Sequence, residues 1–167
     1  MDIKLNSIEG KFKFRVCGIL EHNGKYLIVK INHNKFYCLP GGHIELGEDT
    51  ETAVKREMKE ELGYEVEVKK LISINQNFFY ENGIPFHELG FYYLVVAKNP
   101  LDIITNDYSR EELDKGKIQH LEFKWATIEE LKSLDFKPEF IIDAINSKKV
   151  VINITKDKNP NSTHRRE

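Results

Sequence analysis

Two Asn-Gly pairs, Asn23-Gly24 and Asn82-Gly83, each lie between two apolar runs. Asn-Gly in this position is the strongest short-range signal for a β-hairpin, because both residues tolerate the left-handed backbone of a tight turn. The pairs therefore predict one hairpin within residues 12–30 and another within residues 71–97. Residues 91–97 are almost continuously apolar, which is typical of a strand in the middle of a sheet.

Between the hairpins the sequence pattern becomes helical. Val54, Met58 and Leu62 recur four residues apart, which predicts one helix with an apolar stripe. Asp49 is suited to cap the start of this helix, and Gly63 is suited to end it. Elsewhere we predict short strands at 36–39, 120–125 and 150–154, a polar loop at 99–117, and helices at 128–134 and 138–147. The sum is a mixed α/β fold, with helices packed on a mixed sheet.

The length and charge of the chain fit one soluble domain. Its 167 residues can form a single core, and no apolar run approaches the roughly 18 residues that span a bilayer. The net charge of −2 favours neither a membrane surface nor a stable nucleic-acid partner. We expect one domain over 1–155 and a disordered polar tail over 156–167. Because the N-terminus has no apolar signal core, we expect a cytoplasmic protein.

Carboxylates are concentrated on one face of the predicted helix. Glu57, Glu60 and Glu61 are three and four positions apart, so they project together beside the apolar stripe. Such a face is most often plain solvated surface. Carboxylates this close repel one another unless a cation joins them, and a hard ion such as Mg²⁺ or Mn²⁺ prefers oxygen ligands. Arg56, four residues before Glu60, is placed to clamp that carboxylate.

These residues belong to a longer pattern. It consists of Gly42, five residues, Glu48, seven residues, and then Arg56-Glu57-Met58-Lys59-Glu60-Glu61-Leu62-Gly63-Tyr64. The pattern resembles the Nudix box at all seven invariant positions, a match of roughly one in 10⁸ by chance. Met58 and Tyr64 stand where the family usually has Ile, Leu or Val, and both can still pack. Leu39-Pro40-Gly41-Gly42 and Trp125 also look like the family.

The resemblance implies a Nudix-like α/β/α sandwich with helices on both faces of the sheet. It implies Mg²⁺- or Mn²⁺-dependent hydrolysis of a pyrophosphate bond in a nucleoside diphosphate linked to another group. The substrate class stays open among nucleoside triphosphates, nucleotide sugars such as ADP-ribose, and dinucleoside polyphosphates. Whether the chain forms a homodimer is also left open. The implied metal ligands are Glu57, Glu60, Glu61 and the Gly41 carbonyl. The implied supporting residues are Gly42, Glu48, Arg56 and Gly63.

The proton acceptor is not determined by the box. Some family members use a box glutamate and others use one further along the chain. Glu57 is the first candidate, and Glu111 and Glu112 in the predicted polar loop are the next. Glu88 is a charged residue in an apolar strand, so it is a candidate base or metal ligand, or else it lies at the exposed end of that strand.

Two residues outside the box are candidate substrate contacts. Arg15 alternates with core positions of the first strand and could contact a phosphate, although a solvent-facing side chain is the simpler interpretation. Phe79 precedes the second hairpin turn and could stack on a nucleobase, although it could also be part of the core.

Two other functions occur on the fold that the resemblance implies. A non-catalytic nucleotide-sensing domain often lacks box glutamates, which this chain keeps. An isoprenoid diphosphate isomerase usually adds a catalytic cysteine and further motifs, for which Cys17 and Cys38 are weak candidates. Both cysteines are more simply explained as small core residues, so the sequence favours the hydrolase.

Overall fold

The computed structural model describes residues 1–114, 116–147 and 149–157. Within these ranges the chain forms eight strands, three α-helices and a 3₁₀ turn at Pro100–Asp102. The strands are β1 (Lys4–Asn6), β2 (Lys11–His22), β3 (Lys25–Ile31), β4 (Val66–Glu81), β5 (Ile84–Ala97), β6 (Tyr108–Asp114), β7 (Lys117–Ala126) and β8 (Val151–Lys156). The helices are α1 (Thr50–Leu62), α2 (Ile128–Ser133) and α3 (Ile141–Ile145).

The strands form one mixed sheet in the order β6-β7-β3-β2-β5-β4-β8, with β1 paired to β2. The β2–β5 and β4–β8 pairs are parallel, and the remaining pairs are antiparallel. β5 lies between β2 and β4, which confirms the central strand predicted from its apolar run. Both Asn-Gly hairpins are also confirmed, and Asn23 and Asn82 each have φ of 52°.

Helices cover both faces of the sheet, so the sandwich expected from the resemblance is confirmed. Along β2, Val16 belongs to the core that contains the apolar stripe of α1. Its neighbour Cys17 belongs to a second core that contains Leu131 of α2 and Ile141 of α3. Successive residues of a strand point to opposite faces, and the alternating sequence of β2 therefore supplies both cores.

Helix α1 has the caps that its sequence predicts. The Asp49 carboxylate accepts a hydrogen bond from the Thr52 N–H at 2.8 Å. Gly63 ends the helix at φ 84°, a left-handed conformation that glycine adopts without steric cost. Met58 is fully buried and packs where any side chain at Gly18 would lie, and Tyr64 is buried too. The two departures from the family pattern are thus packed in the core.

The predicted loop at 99–117 is wrong, because it contains β6. Residues 108–113 alternate between half-buried and exposed side chains, and β6 is an edge strand that pairs with β7. An edge strand can be polar on its solvent face. The sequence of β6 therefore contains no apolar run that would predict a strand. The strand predicted at 36–39 is reduced to isolated bridges, and the helix predicted at 138–147 is regular only at Ile141–Ile145.

The last strand runs to Lys156, one residue into the segment expected to be a disordered tail. Residues 158–167 of that segment lie outside the described residues. Among the described helices, none combines the length and the apolar character needed to cross a bilayer.

Candidate metal and active site

The box carboxylates line one cavity of about 520 Å³. Its walls come from α1, from the turn that precedes the box, from β2 and from β6. The predicted site residues on these walls are Arg15, Gly41, Gly42, Arg56, Glu57, Glu60, Glu61, Glu111 and Glu112. The fold therefore brings together residues that are up to nearly a hundred positions apart in the chain.

Glu61 is the most deeply buried carboxylate of this cavity, with 4% of its surface exposed. Its side chain accepts a hydrogen bond from the Gly41 N–H at 3.0 Å. Burial raises the pKa of Glu61 well above its ordinary value, and the nearby charges of Glu112 and Glu57 raise it further. A carboxylate in this position is costly to ionise unless a cation comes close to it.

Glu57 stands beside Glu61 and is also largely buried. Burial raises the pKa of Glu57 to about 7, although the hydrogen bond from Arg56 lowers it. A side chain at Gly42 would overlap the Glu57 carboxylate, so a substitution there would displace this carboxylate from its present position. Glu60 is different, because 49% of its side chain is exposed.

Arg56 connects the acidic residues into one network. Its Nε and Nη2 atoms donate to the two Glu48 oxygens, each at 2.9 Å. Its Nη1 atom donates to Glu57 at 2.8 Å and to Glu60 at 3.1 Å, and its Nη2 atom also donates to the His43 carbonyl. The contact predicted between Arg56 and Glu60 is present. Arg56 thus ties the loop before α1 to the carboxylates on the helix.

The Gly41 backbone meets β2 at very close range. Gly41 has φ of 143°, and a side chain there would overlap the backbone of Val16 and Cys17. The Gly41 carbonyl accepts a hydrogen bond from Arg15 Nη2 at 2.9 Å. A cationic group of the protein thus already contacts the carbonyl that the resemblance assigns as a metal ligand.

Arg15 is not a solvent-facing residue, since only 12% of its side chain is exposed. Its Nη1 atom lies 3.8 Å from a Glu88 oxygen. Burial lowers the pKa of Arg15, but Glu88, together with Cys17, Cys38 and Tyr92, raises it by more, so the pKa stays above its ordinary value and the group is charged. Its Nε atom is buried without a hydrogen-bond partner. Arg15 therefore keeps one donor for which the described residues supply no acceptor.

Glu88 is buried, so the alternative of an exposed strand end is wrong. It lines a second cavity of about 330 Å³ and is not among the described residues that line the first. Arg15 lines both cavities. The fold therefore places Glu88 beside Arg15 and does not bring it to the box carboxylates.

Phe79 lines the second cavity and stacks on Phe86, with ring centroids 5.0 Å apart. The same cavity is lined by Phe36, Tyr92, Lys137 and Phe140, which the sequence analysis did not identify. These four residues come from three separate segments of the chain, and no local pattern connects them.

The β6–β7 register separates Glu111 from Glu112. Glu112 is half-buried and pairs with Gln119, which also lines the first cavity, and its charge acts on Glu61. Glu111 also borders this cavity, but it is exposed and pairs with His120, and its side chain alternates with that of Glu112 to the other face of the strand. Of these two candidates, Glu112 is the one whose side chain faces the box carboxylates.

The two cysteines contribute to the wall of the second cavity. Cys17 is buried, and burial raises the pKa of its thiol to about 12. A thiol with such a pKa stays protonated and unreactive near neutral pH. This agrees with the interpretation of Cys17 as a core residue.

The donor groups fit a hard divalent ion. The cavity offers carboxylate oxygens and a backbone carbonyl, which are the ligands that Mg²⁺ and Mn²⁺ prefer. Burial raises the pKa values of Glu57 and Glu61, so their charged forms are disfavoured and a bound cation would stabilise them. Two of the carboxylates, Glu57 and Glu60, are held by Arg56 in the described structure.

Comparison with known proteins agrees with this fold. Residues 12–144 match the family model of the NUDIX domain, and the chain belongs to the Nudix family. Over 62 residues it is 45% identical to an ADP-ribose pyrophosphatase of Methanocaldococcus jannaschii, a match covering 35% of this chain and 37% of that protein. Over 58 residues it is 40% identical to the nucleoside triphosphatase NudI of an Enterobacter species, covering 32% and 41%. The chain thus spans less than half the length of these curated relatives.

The fold is shared more widely than the sequence. A crystal structure of a NUDIX hydrolase from Nitrosomonas europaea superposes with a TM-score of 0.60 at 16% identity. The superposition covers 87% of this chain and 79% of that one. At this identity the similarity concerns the arrangement of strands and helices alone.

The raised pKa of Glu57 predicts how the metal-free protein responds to pH. Folded Glu57 keeps its proton to about pH 7, whereas the group ordinarily loses it near 4.5. The folded state therefore binds more protons than the unfolded state between these values. We expect the free energy of unfolding, measured by urea titration with excess chelator, to fall by roughly 3 kcal/mol as pH rises through this window.

Glu57→Gln should reduce this slope, because glutamine does not titrate. Glu51→Gln, an exposed replacement in the first turn of the same helix, should keep the wild-type slope. A free energy of unfolding that rises with pH over the same window, equally in all three proteins, would contradict the prediction.

Proposed function

We propose that this protein is a Mg²⁺-dependent pyrophosphohydrolase that acts on a nucleoside diphosphate linked to a second group. The observation that carries the proposal is the convergence of Glu57, Glu60, Glu61 and Glu112 with the Arg15 guanidinium on one cavity. Pyrophosphate hydrolysis needs an array of this kind, because the reaction depends mainly on positioning and on compensation of negative charge.

Glu57, Glu60, Glu61 and the Gly41 carbonyl would hold the metal, with Glu48 and Arg56 fixing their positions. When bound, a divalent ion neutralises phosphate charge and lowers the pKa of water. Arg15, a cation on the wall of this cavity, would donate to a phosphate oxygen. A water oxygen attacks phosphorus, the bond from phosphorus to the bridging oxygen breaks, and the two phosphates separate.

The water must lose a proton as it attacks. We assign Glu57 as the proton acceptor, because its largely buried carboxylate lies on the cavity wall beside the other box carboxylates, where the attacking water would lie. Glu112 lies on the β6 side of the cavity, and its negative charge acts on Glu61.

Glu111 and Glu112 provide a matched pair of variants. We expect Glu112→Gln to lower kcat roughly 10- to 100-fold, because its side chain faces the cavity. Glu111→Gln should stay within about threefold of wild type, because that side chain is exposed and Glu112 is the one whose charge acts on Glu61. The measurement is kcat against pH. For wild type, kcat should fall at low pH as the proton acceptor becomes protonated. If Glu112→Gln removes this fall and Glu57→Gln keeps it, Glu112 is the proton acceptor instead.

The second cavity supports a substrate with two parts. Arg15 lies between the phosphate-binding region and a space lined by Phe36, Phe79 and Phe140. Aromatic side chains bind the flat face of a nucleobase, and we propose that Phe79 helps to hold the nucleoside there. The name of the Methanocaldococcus jannaschii relative makes ADP-ribose the first substrate to test.

The test is a panel of ADP-ribose, UDP-glucose, the nucleoside triphosphates and diadenosine polyphosphates with excess Mg²⁺, with products separated by chromatography. We expect ADP-ribose and one water to give AMP and ribose 5-phosphate. Added chelator should abolish the reaction. Tight binding of these nucleotides without turnover would indicate the sensing domain instead, and double-bond migration in isopentenyl diphosphate would indicate the isomerase.

One domain over residues 1–155, a cytoplasmic location and a homodimer stay predictions of this proposal. Sedimentation of the purified chain tests the assembly, and limited proteolysis tests the domain boundary.

A further inference from the structure

We propose that His33, His120 and Glu122 form a second metal site, for a borderline ion such as Zn²⁺, separate from the box carboxylates. One ligand atom from each of these side chains lies within 4.8 Å of the other two. His33 Nδ1 is 2.7 Å from a Glu122 oxygen, and His120 Nε2 is 3.9 Å from the same oxygen. Among the described residues, no other group of three His, Cys, Asp or Glu side chains brings its ligand atoms this close together.

The backbone holds the three residues together. His120 and Glu122 are two positions apart in β7, so their side chains share one face of the strand. The loop after β3 is fastened to the same strand by Asn32, whose N–H donates to the His120 carbonyl at 2.8 Å. The Asn32 side chain in turn accepts from the His120 N–H at 2.9 Å. These two hydrogen bonds place His33 next to His120, with ring centroids 5.0 Å apart.

His33 and Asn32 both have left-handed backbone conformations, with φ of 57° and 48°. This conformation is unfavourable for a residue with a side chain, and it persists where surrounding contacts enforce it. Here it turns the His33 ring towards β7.

The donor chemistry selects the kind of ion. Imidazole nitrogen favours Zn²⁺, Cu²⁺ and Ni²⁺, whereas Mg²⁺ and Ca²⁺ favour an all-oxygen set. Two histidines and one glutamate form a known type of zinc site, which leaves a fourth position for water. Zn²⁺ holds such ligands at roughly 2.0–2.2 Å, and the largely exposed His33 side chain can move closer without disturbing the core.

The proposed site lies next to the cavity of the box carboxylates. Ile31 precedes the loop and Gln119 precedes His120, and both residues line that cavity. An ion on His33, His120 and Glu122 would join the loop to β7 at the rim of the cavity. The ion would therefore stabilise this end of β3 and β7 without contacting the box carboxylates.

The test is calorimetric titration of the untagged full chain with Zn²⁺ in excess Mg²⁺, which keeps the box carboxylates occupied. We expect one Zn²⁺ per chain and a rise in Tm when it binds. His33→Ala, His120→Ala and Glu122→Gln should each weaken the affinity at least about 10-fold. His22→Ala, which removes a half-buried histidine elsewhere, should bind as wild type does.

Glu60→Gln separates the two metal sites. If the ion binds at the proposed site, Glu60→Gln keeps the wild-type Zn²⁺ affinity whatever happens to hydrolysis. Cobalt substitution supplies a second measurement, because histidine ligation of Co²⁺ produces visible absorption that should disappear in His120→Ala. The proposal is overturned if all three site variants bind Zn²⁺ as tightly as wild type, or if Glu60→Gln or added Mg²⁺ abolishes the binding.

Discussion

Glu60→Gln is expected to lower the turnover of pyrophosphate hydrolysis at least about 100-fold, more than the roughly 10- to 100-fold typical of residues that only support a metal ligand. The free energy of unfolding should stay within about 0.5 kcal/mol of wild type, because half of the Glu60 side chain is exposed. The change replaces a charged ligand by a neutral one of the same shape. Measurements are kcat with saturating Mg²⁺ and unfolding in urea.

The matched control is Glu51→Gln, an exposed replacement on the same helix away from the cavity, which should keep wild-type turnover. Glu61→Gln makes a second comparison. It should also abolish turnover, yet the metal-free protein should be at least as stable as wild type, because burial disfavours the charged carboxylate there. Wild-type turnover in both Glu60→Gln and Glu61→Gln would refute the assignment of the metal ligands.

Arg56→Ala should destabilise the protein by about 3 kcal/mol and abolish activity as well. The replacement removes five hydrogen bonds at once, two of them to Glu48 and one each to Glu57, Glu60 and the His43 carbonyl. Glu48 and Glu57 side chains are only 12% exposed, so both would be left as poorly solvated, unpaired charges. Urea unfolding and the Mg²⁺ dependence of kcat measure the two effects.

Arg56→Lys tests whether the geometry of the guanidinium matters. Lysine keeps the charge but cannot contact both Glu48 oxygens in the same fork, so we expect only partial recovery. Lys55→Ala, an exposed neighbour, should change stability by less than about 0.5 kcal/mol. A double-mutant cycle with Glu48→Gln isolates the pair. Equal stability of Arg56→Ala and wild type would show that Arg56 does not hold the acidic network.

The residues whose positions the sequence predicts correctly are those that depend on local spacing. Glu57 and Glu61 are one helical turn apart, and Asp49 and Gly63 sit at the two ends of that helix, so a repeat of 3.6 residues is enough to place them. The same reasoning could not separate Glu111 from Glu112, because it did not identify the polar edge strand β6.

Arg15 illustrates what the alternating pattern of a strand cannot predict. Alternation along β2 predicted which residues share a face, but it could not show that this face is covered. The packing of Gly41 and Glu88 around the guanidinium decides that Arg15 is a buried cation between two cavities.

The order of residues along the chain was sufficient to identify the two hairpins, the acidic helix, the family and the helix carboxylates that line one cavity. These features depend on neighbours within a few positions, where backbone geometry leaves few alternatives. The folded protein alone determined that Glu112 faces the carboxylates, that Glu88 pairs with Arg15, and that His33 meets His120. Those contacts join segments distant in sequence, and their distances follow from sheet register and side-chain packing.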